Sequence, residues 1–336
     1  MDNSEYINDQ RRDYSLYVLQ SRAIPHAADG LKAAARRVLW TAKNGAKVKS
    51  ATLAGATMPI HPHAAPEGAI NTLAAPYGNN IPLLKADGAF GTMLAPTAYG
   101  ASRYTSVALS QFTKDVVLRD IEVIPLQENY DGTLQEPKHF LPLVPIVLLN
   151  PQEGIAVGFA SNILPRDLDS IIKSQIEYLS NGKVKNEPLP AFLPTEQCAH
   201  DWIEDERTKV VRYVFKGMIE RVNATTVNVI GLPYGVLHEK YTDRLDKMID
   251  EGKLQEFVDN SRNTVNISVR FKKGVMSKMD DDKILSYLGL VNNVSENMNV
   301  IDFDGERVWS TDYTDLIEKF TEWRLGSVSY THLTLP

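Results

Sequence analysis

Cysteine is nearly absent from this sequence, since Cys198 is the single cysteine among 336 residues. One cysteine cannot form an internal disulfide, which fits a reducing compartment. The sequence also lacks any run of about eighteen apolar residues, the length that a membrane-spanning helix requires. Its polar N-terminal segment has no apolar stretch of the kind found in secretory signals. These absences predict a cytoplasmic protein without a membrane span.

Basic residues are fewer than acidic ones, but they are concentrated in one segment. The net charge of −6 argues weakly against a nucleic-acid partner. Residues 22–49 nevertheless carry a local charge of +6. The charged residues of this segment are Arg22, Lys32, Arg36, Arg37, Lys43, Lys47 and Lys49, with Asp29 as the single acid. Such a block can bind phosphates through its field and by releasing counterions. An ordinary solvated helix face explains it equally well.

The length predicts two domains, and the first of them shows three short helical patterns. Residues 31–43 have an apolar stripe at helical spacing, with Lys32, Arg36 and Arg37 outside the stripe. Residues 50–58 and 64–75 form the other two patterns, and a strand is predicted for 103–109. Helices followed by short strands favour a winged-helix unit. Later strands, mixed with helices at 168–179 and 237–252, make the predicted fold class α+β.

Three short motifs hold residues with chemical potential. Arg103-Tyr104 follows a stretch rich in glycine, alanine and serine, which alone is a weak signal for a nucleophile. His61 and His63 flank a proline and could hold a metal, although no cysteine or carboxylate pair lies at ligand spacing. Ile155 lies in the sequence GIAVG, which we interpret as a strand between two glycine-containing turns. The pattern alone favours a buried core strand for that motif.

Six motifs in fixed order resemble one protein family. They are RAIPHAADGLKAAARRVLW, IHPHA, ADGAFG, ASRYT, ENYDGT and LPLVPIVLLNPQEGIAVGFASNILP. Together they resemble the DNA breakage-reunion subunit of type IIA topoisomerases, a family that includes the A subunit of gyrase. The last motif and the short chain look most like the bacteriophage form, the medium subunit of T-even-like phage topoisomerases. The resemblance covers about residues 14–324.

The resemblance implies a role for each matching residue. Tyr104 matches the nucleophilic tyrosine, and Arg103 matches the arginine before it. Arg22 matches an arginine near the cleaved phosphate, and His63 matches the histidine beside the active site. The implied DNA-binding residues are Lys32, Arg36 and Arg37 on the basic helix, His61 as the partner of His63, and Ile155. Ile155 matches an isoleucine that wedges between base pairs and bends DNA.

The resemblance also implies a domain plan and a set of partners. The plan comprises an N-terminal helical arm (1–24), a winged-helix cleavage domain (25–125), a tower domain (126–310) and the start of a coiled-coil arm (311–327). Residues 328–336 look like translated adapter sequence, which implies a truncated chain. Mg²⁺ and ATP are expected on a large partner subunit that carries toprim and ATPase domains, because no ATP motif or carboxylate cluster stands out here. Double-stranded DNA and a second copy of the chain are the other expected partners. The alternative is a non-enzymatic winged-helix protein that bends DNA.

Overall fold

A computed structural model divides the chain into two compact units. It describes residue 14 and residues 17–62, 66–156, 158–192, 199–205 and 210–334. The first unit comprises the described residues of Met1–Phe90, Tyr99–Ala191 and Asn297–Pro336. The second comprises those of Gly91–Ala98 and Phe192–Glu296. Most of the predicted N-terminal arm lies outside the described residues, as do His63 and Cys198.

Helices and strands are mixed throughout the described residues, as the α+β prediction requires. The α-helices are α1 Ala33–Thr41, α2 Ser50–Thr57, α3 Pro66–Ala74, α4 Leu168–Asn181, α5 His238–Asp250, α6 Asp281–Leu288 and α7 Tyr313–Thr334. The strands are β1 Val48–Lys49, β2 Leu84–Asp87, β3 Ser106–Leu109, β4 Leu126–Glu128, β5 Gln135–Pro137, β6 Gln152–Ala156, β7 Phe159–Ile163, β8 Ala199–Asp205, β9 Val210–Lys216, β10 Met218–Arg221, β11 Thr226–Gly231, β12 Leu254–Asp259, β13 Ile267–Phe271, β14 Val291–Ser295, β15 Met298–Ile301 and β16 Val308–Thr311.

The three helices predicted in the first unit are all present, and they bury their apolar faces against one another. Each begins and ends within two residues of its predicted bounds. Helix α3 begins at Pro66 with Glu67 in its first turn, a favourable start because proline lacks the amide that would be unpaired there. The buried side chains are Val38, Leu39, Leu53, Ala54, Ile70, Leu73 and Ala74.

A small antiparallel sheet completes this part of the first unit, with strand order β1-β3-β2. Val107 in the central strand lies opposite both Val48 and Ala86. Strand β1 leads directly into α2, so the pairing of β1 with β3 brings the residues before β3 next to the start of that helix. Three helices with such a sheet are compatible with a winged-helix unit, which stays a prediction.

The domain boundary differs from the predicted one at residue 126. Residues 126–191 and 297–310 were expected in the tower, but they belong to the first unit. The reason is burial, because the proline-punctuated segment after β5 supplies the centre of that unit's core. Its fully or almost fully buried side chains are Phe140, Leu141, Val144, Ile146, Val147, Leu148 and Leu149.

The second unit is built on a four-stranded antiparallel sheet, β10-β11-β13-β12, and a three-stranded sheet, β14-β9-β8. Strand β11 alternates between buried and half-buried residues, as expected for a strand with one face on a core. Helices α5 and α6 contribute Tyr241, Leu245, Ile284 and Leu288 to the same core. No helix in the described part of the chain has the length and apolarity needed to cross a membrane.

Candidate DNA-cleavage site

Tyr104 lies at the end of a tight turn, and its side chain is 71% exposed. The backbone amide of Tyr104 donates to the carbonyl of Ala101 at 2.9 Å, which closes the turn. We expected a strand from Arg103, but β3 begins only at Ser106 because this local bond occupies the amide. The guanidinium carbon of Arg103 lies 4.8 Å from the centre of the Tyr104 ring. The phenol is therefore presented to solvent beside a fixed positive charge.

Contacts with the start of α2 fix the backbone on the C-terminal side of Tyr104. The Ser50 amide donates to the carbonyl of Thr105 at 3.1 Å, and the Thr105 hydroxyl donates to the Ser50 hydroxyl at 2.8 Å. The Lys49 ammonium donates to the carbonyl of Tyr104 itself at 3.0 Å. Lys49 belongs to the basic block, but its role depends on the pairing of β1 with β3, which the sequence does not reveal.

Two further contacts fix the turn on the N-terminal side of Tyr104. The Ser102 hydroxyl donates to the Glu67 carboxylate at 2.7 Å, and the Ala51 amide donates to the Ser102 carbonyl at 3.2 Å. Glu67 therefore links the first turn of α3 to the turn that carries Tyr104. Sequence reasoning identified Glu67 only as a favourable residue for starting a helix, and it missed this link.

Arg22 and His61 belong to a separate aromatic cluster. Arg22 is exposed on a π-helix, Leu19–Ala23, and its guanidinium carbon lies 5.6 Å from the Tyr17 ring centre. The Tyr17 hydroxyl is 2.8 Å from Nε2 of His61, which is 6% exposed and lies edge-on to Tyr130. Among the described residues, no hydrogen bond or ring contact within the chain joins Tyr104 to Arg22. The structure thus brings Arg103 to Tyr104 and Arg22 to the cluster of His61.

Arg36 is turned inward, contrary to the prediction of an exposed basic helix face. Its guanidinium donates to both carboxylate oxygens of Asp29, at 2.7 and 3.0 Å, and Asp29 is fully buried. Burial opposes ionisation of Asp29, but attraction and hydrogen bonding from Arg36 hold the pKa of that carboxyl below its usual value. Arg36 therefore compensates a buried charge, and the structure gives no support to a phosphate contact.

Arg37 is engaged in the same manner with Glu136 in β5. Its guanidinium donates to the two carboxylate oxygens at 2.5 and 3.0 Å, and both side chains are almost buried. This bidentate pair joins α1 to a strand 99 residues later in the chain. The predicted DNA-binding role of Arg37 consequently has no geometric support either. Lys32 remains half-buried, and burial lowers its pKa although Glu153 opposes that shift.

Ile155 projects from the hairpin of β6 and β7 and is 87% exposed, which excludes the interpretation of a buried core strand. Gly158 follows the strand in a left-handed conformation, with φ of +80°, as expected for a turn glycine. We expected Gly154 to lie in a turn, but it pairs with Ser161 inside the hairpin. A Cβ atom on Gly154 would lie 1.8 Å from the carbonyl oxygen of Ala23. Gly154 is therefore required by close backbone packing.

Gly154→Ala is expected to lower the free energy of unfolding by about 1–3 kcal/mol, since the added methyl group must displace backbone. Urea denaturation measures the change. Gly55→Ala is the matched control, because a Cβ there meets no atom within 4 Å and alanine is the better helix former. Equal stability of the two variants would show that the hairpin does not pack against Ala23.

No group of three histidine, cysteine, aspartate or glutamate side chains in the described ranges is placed to hold a metal ion. The His61 ring nitrogen is already engaged by Tyr17.

Comparison with known proteins adds to this geometry. The family model for the A subunit of DNA gyrase/topoisomerase IV matches residues 22–331. The DNA topoisomerase medium subunit of Enterobacteria phage T4 is 28% identical over 96% of this chain and 74% of its own length. The DNA gyrase A subunit of Streptomyces coelicolor is 27% identical over 93% of this chain and 41% of its own length. The chain thus spans about three quarters of the phage relative and less than half of the bacterial one.

A solved structure has the same fold. The DNA-binding, cleavage and re-ligation domain of Plasmodium falciparum topoisomerase II matches with a TM-score of 0.83 and 22% identity, over 94% of this chain and 44% of that one. The fold is therefore that of a type II topoisomerase cleavage domain. With a family model matched along nearly its whole length, the chain belongs to the family of DNA gyrase/topoisomerase IV A subunits.

Proposed function

We propose that this chain is the DNA-cleaving and rejoining part of an ATP-dependent type IIA topoisomerase. The observation that supports this most directly is Tyr104, an exposed phenol whose backbone is fixed on both sides. Attack by its hydroxyl oxygen on a DNA phosphate would form a phosphotyrosyl ester and break the bond from phosphorus to a deoxyribose oxygen. The leaving oxygen departs as a hydroxyl, and the proton it gains balances the proton that the phenol loses. One phosphodiester replaces another, so resealing by the reverse reaction needs no further energy source.

Two cations, Arg103 and Arg22, supply electrostatic stabilisation in this proposal. A free phenol has a pKa of about 10, so its oxygen needs assistance at neutral pH. Arg103 is already beside the ring, and its guanidinium can stabilise charge on the phenolate and on the pentavalent phosphate. Arg22 is exposed and free of any carboxylate in the described structure, which suits a second phosphate contact. The proton-accepting role of His63 stays a prediction from the resemblance, because His63 lies outside the described residues.

Membership of the family supports a proposal for the partners. We propose that double-stranded DNA is the substrate, that two copies of this chain work together, and that a large subunit with ATPase and toprim domains supplies ATP hydrolysis and Mg²⁺. The cytoplasm of a bacterial cell, the host cell if a phage encodes the chain, is the proposed location. This proposal depends on two relatives of the chain. They are the DNA topoisomerase medium subunit of phage T4 and the DNA gyrase A subunit of Streptomyces coelicolor.

Covalent trapping tests the proposal. Supercoiled DNA is incubated with the chain and its partner subunit, the reaction is stopped with detergent, and the DNA-linked peptide is identified by mass spectrometry. The peptide that contains Tyr104 is the expected product. A purely architectural DNA-bending protein has no use for an exposed tyrosine at this position. Tight DNA binding without any adduct would therefore favour the bending protein over the topoisomerase.

Ile155→Ala is expected to reduce DNA bending and cleavage while leaving stability within about 0.5 kcal/mol, because the side chain is exposed in the free protein. A methyl group cannot hold two base pairs unstacked, which costs a few kcal/mol per step. Energy transfer between dyes at the ends of a duplex reports bending. Ile176→Ala is the matched control, since Ile176 is 57% exposed on α4. Normal bending by the Ile155 variant would refute the wedge.

A further inference from the structure

The hairpin that carries Ile155 is attached to the rest of the first unit on two sides. On the β7 side, Asn162 and Asn297 exchange backbone hydrogen bonds at 2.9 and 3.0 Å. The Ser161 hydroxyl donates to the Asn299 carbonyl at 2.8 Å, and the Asn299 amide group donates to the Ala160 carbonyl at 2.6 Å. Strand β7 is thus held by several bonds, and these bonds do not depend on a charged group.

The β6 side, which bears Ile155, is held differently. Gly154 lies flat against the backbone of Ala23, on the π-helix that also carries Arg22. The ammonium group of Lys32 donates to the carbonyl of Glu153 at 2.5 Å. A hydrogen bond from a charged donor is about twice as strong as one between neutral groups. Lys32 therefore supplies a charged link from the residue before α1 to a residue two positions from Ile155.

We infer that Lys32 is a positioning residue for the Ile155 hairpin, acting through the carbonyl of Glu153. The inference rests on the proposed function of Ile155 as a DNA wedge. It changes the role expected for Lys32, which sequence reasoning assigned to a phosphate contact. An apolar wedge can unstack bases only if its backbone resists displacement when the side chain enters the duplex. The hydrogen bond from Lys32 and the contact of Gly154 with Ala23 hold strand β6, which bears Ile155, against such displacement.

This arrangement also connects the wedge with the proposed cleavage chemistry. Strand β6 contacts the π-helix through Gly154, and Ala156 packs on the small cluster of Leu19, Ala23, Ile24 and Ile301. Arg22 is part of the same π-helix. A displacement of Ile155 would therefore also shift the backbone of the π-helix beside Arg22. A loosened hairpin should therefore weaken bending first and cleavage as a consequence.

Lys32→Met tests the inference, because methionine keeps most of the length and lacks the donor. Bending of a doubly dye-labelled duplex is measured with the full chain and its partner subunit. We expect the bending equilibrium to fall by about tenfold, the factor that corresponds to losing a hydrogen bond from a charged donor. Lys32→Arg should restore bending. Lys173→Met, which removes an exposed lysine from α4, is the control and should leave bending unchanged.

Salt dependence and a double variant separate positioning from a phosphate contact. If Lys32 acts through Ile155, Lys32→Met should have little further effect on bending in the Ile155→Ala background, and the slope of log affinity against log salt should not change. A slope reduced by about 0.9, with normal bending of the bound duplex, would overturn the inference in favour of a phosphate contact.

The two proposals fail in different ways. If Ile155→Ala alone leaves bending normal, the wedge function falls, and the role of Lys32 falls with it. If Ile155→Ala reduces bending but Lys32→Met does not, the wedge stands and only the positioning role is refuted. Thermal melting of each variant accompanies the measurement, because a positioning role predicts near-normal melting with reduced bending.

Discussion

Tyr104→Phe is expected to abolish covalent cleavage of DNA while leaving the affinity for DNA almost unchanged. The substitution removes the hydroxyl that would attack the phosphate, and it keeps the ring against which Arg103 lies. The backbone bonds that fix the turn do not involve the hydroxyl, so the fold of the site should be preserved. Detergent-trapped adducts on supercoiled plasmid measure cleavage, and equilibrium binding to a duplex measures affinity.

Tyr99→Phe is the matched control for this experiment. Tyr99 lies five residues earlier in the same glycine-rich stretch, where it forms an isolated bridge with Phe90, and it is only half-exposed. Its variant should cleave DNA normally. Adducts that persist in the Tyr104 variant at the level of the parent protein would remove Tyr104 from the mechanism. Loss of binding in that variant would instead indicate that the hydroxyl serves in DNA contact.

Arg36→Ala is expected to destabilise the first unit by about 3–5 kcal/mol, which is the usual cost of leaving a buried charge without its partner. Asp29 is fully buried, and it also accepts hydrogen bonds from the Phe140 and Leu31 amides at 3.0 and 3.1 Å. Removing Arg36 leaves this carboxylate without its guanidinium. Urea denaturation at neutral pH measures the loss. If the free energy of unfolding fell by less than about 1 kcal/mol and DNA binding became weaker, Arg36 would be a DNA-binding residue after all.

The acid sensitivity of the same pair gives an independent check. The pKa of Asp29 is lowered in the folded protein from an ordinary value of 3.8. The folded state therefore binds a proton at Asp29 less readily than the unfolded state does. The stability from the pair is complete above about pH 3.8 and is lost as the pH falls through the folded pKa. As the pH falls from about 4 to about 2, the Arg36→Ala variant should therefore lose less stability than the parent protein, measured by urea denaturation at each pH.

Much of the first unit follows from local sequence signals, whereas the inward-facing charges do not. The apolar spacing of α1 and the Pro66-Glu67 start of α3 predicted both helices to within two residues. Helical spacing places Arg36 and Arg37 off the apolar stripe, and it contains no information on Glu136, which is 99 residues from Arg37. Such partners depend on tertiary packing, so a basic helix face and a buried ion-pair face have the same local pattern.

The residues of the candidate site could be proposed from the sequence, but the contacts that hold them in place could not. The order of motifs identified Tyr104 and Arg103, and the structure places their side chains together. The pairing of β1 with β3 determines that Lys49 and Ser50 hold the turn, and this pairing is a long-range event. Gly154 was likewise assigned to a turn in error. The sequence does not distinguish a glycine in a strand from a glycine in a turn, because the difference depends on the backbone that packs against it.

The fixed turn at Tyr104 has a mechanical consequence for any DNA end attached to it. With its carbonyl bound by Lys49 and the flanking residues bound to α2, the tyrosine can move chiefly by rotation of its own side chain. A severed strand joined to that oxygen would travel only as far as those torsions allow, unless the whole first unit moved as a body. Two broken ends could then be separated by the width of a duplex only if the subunits that hold them moved apart. The turn would meanwhile keep each attached end in the position from which it can be resealed.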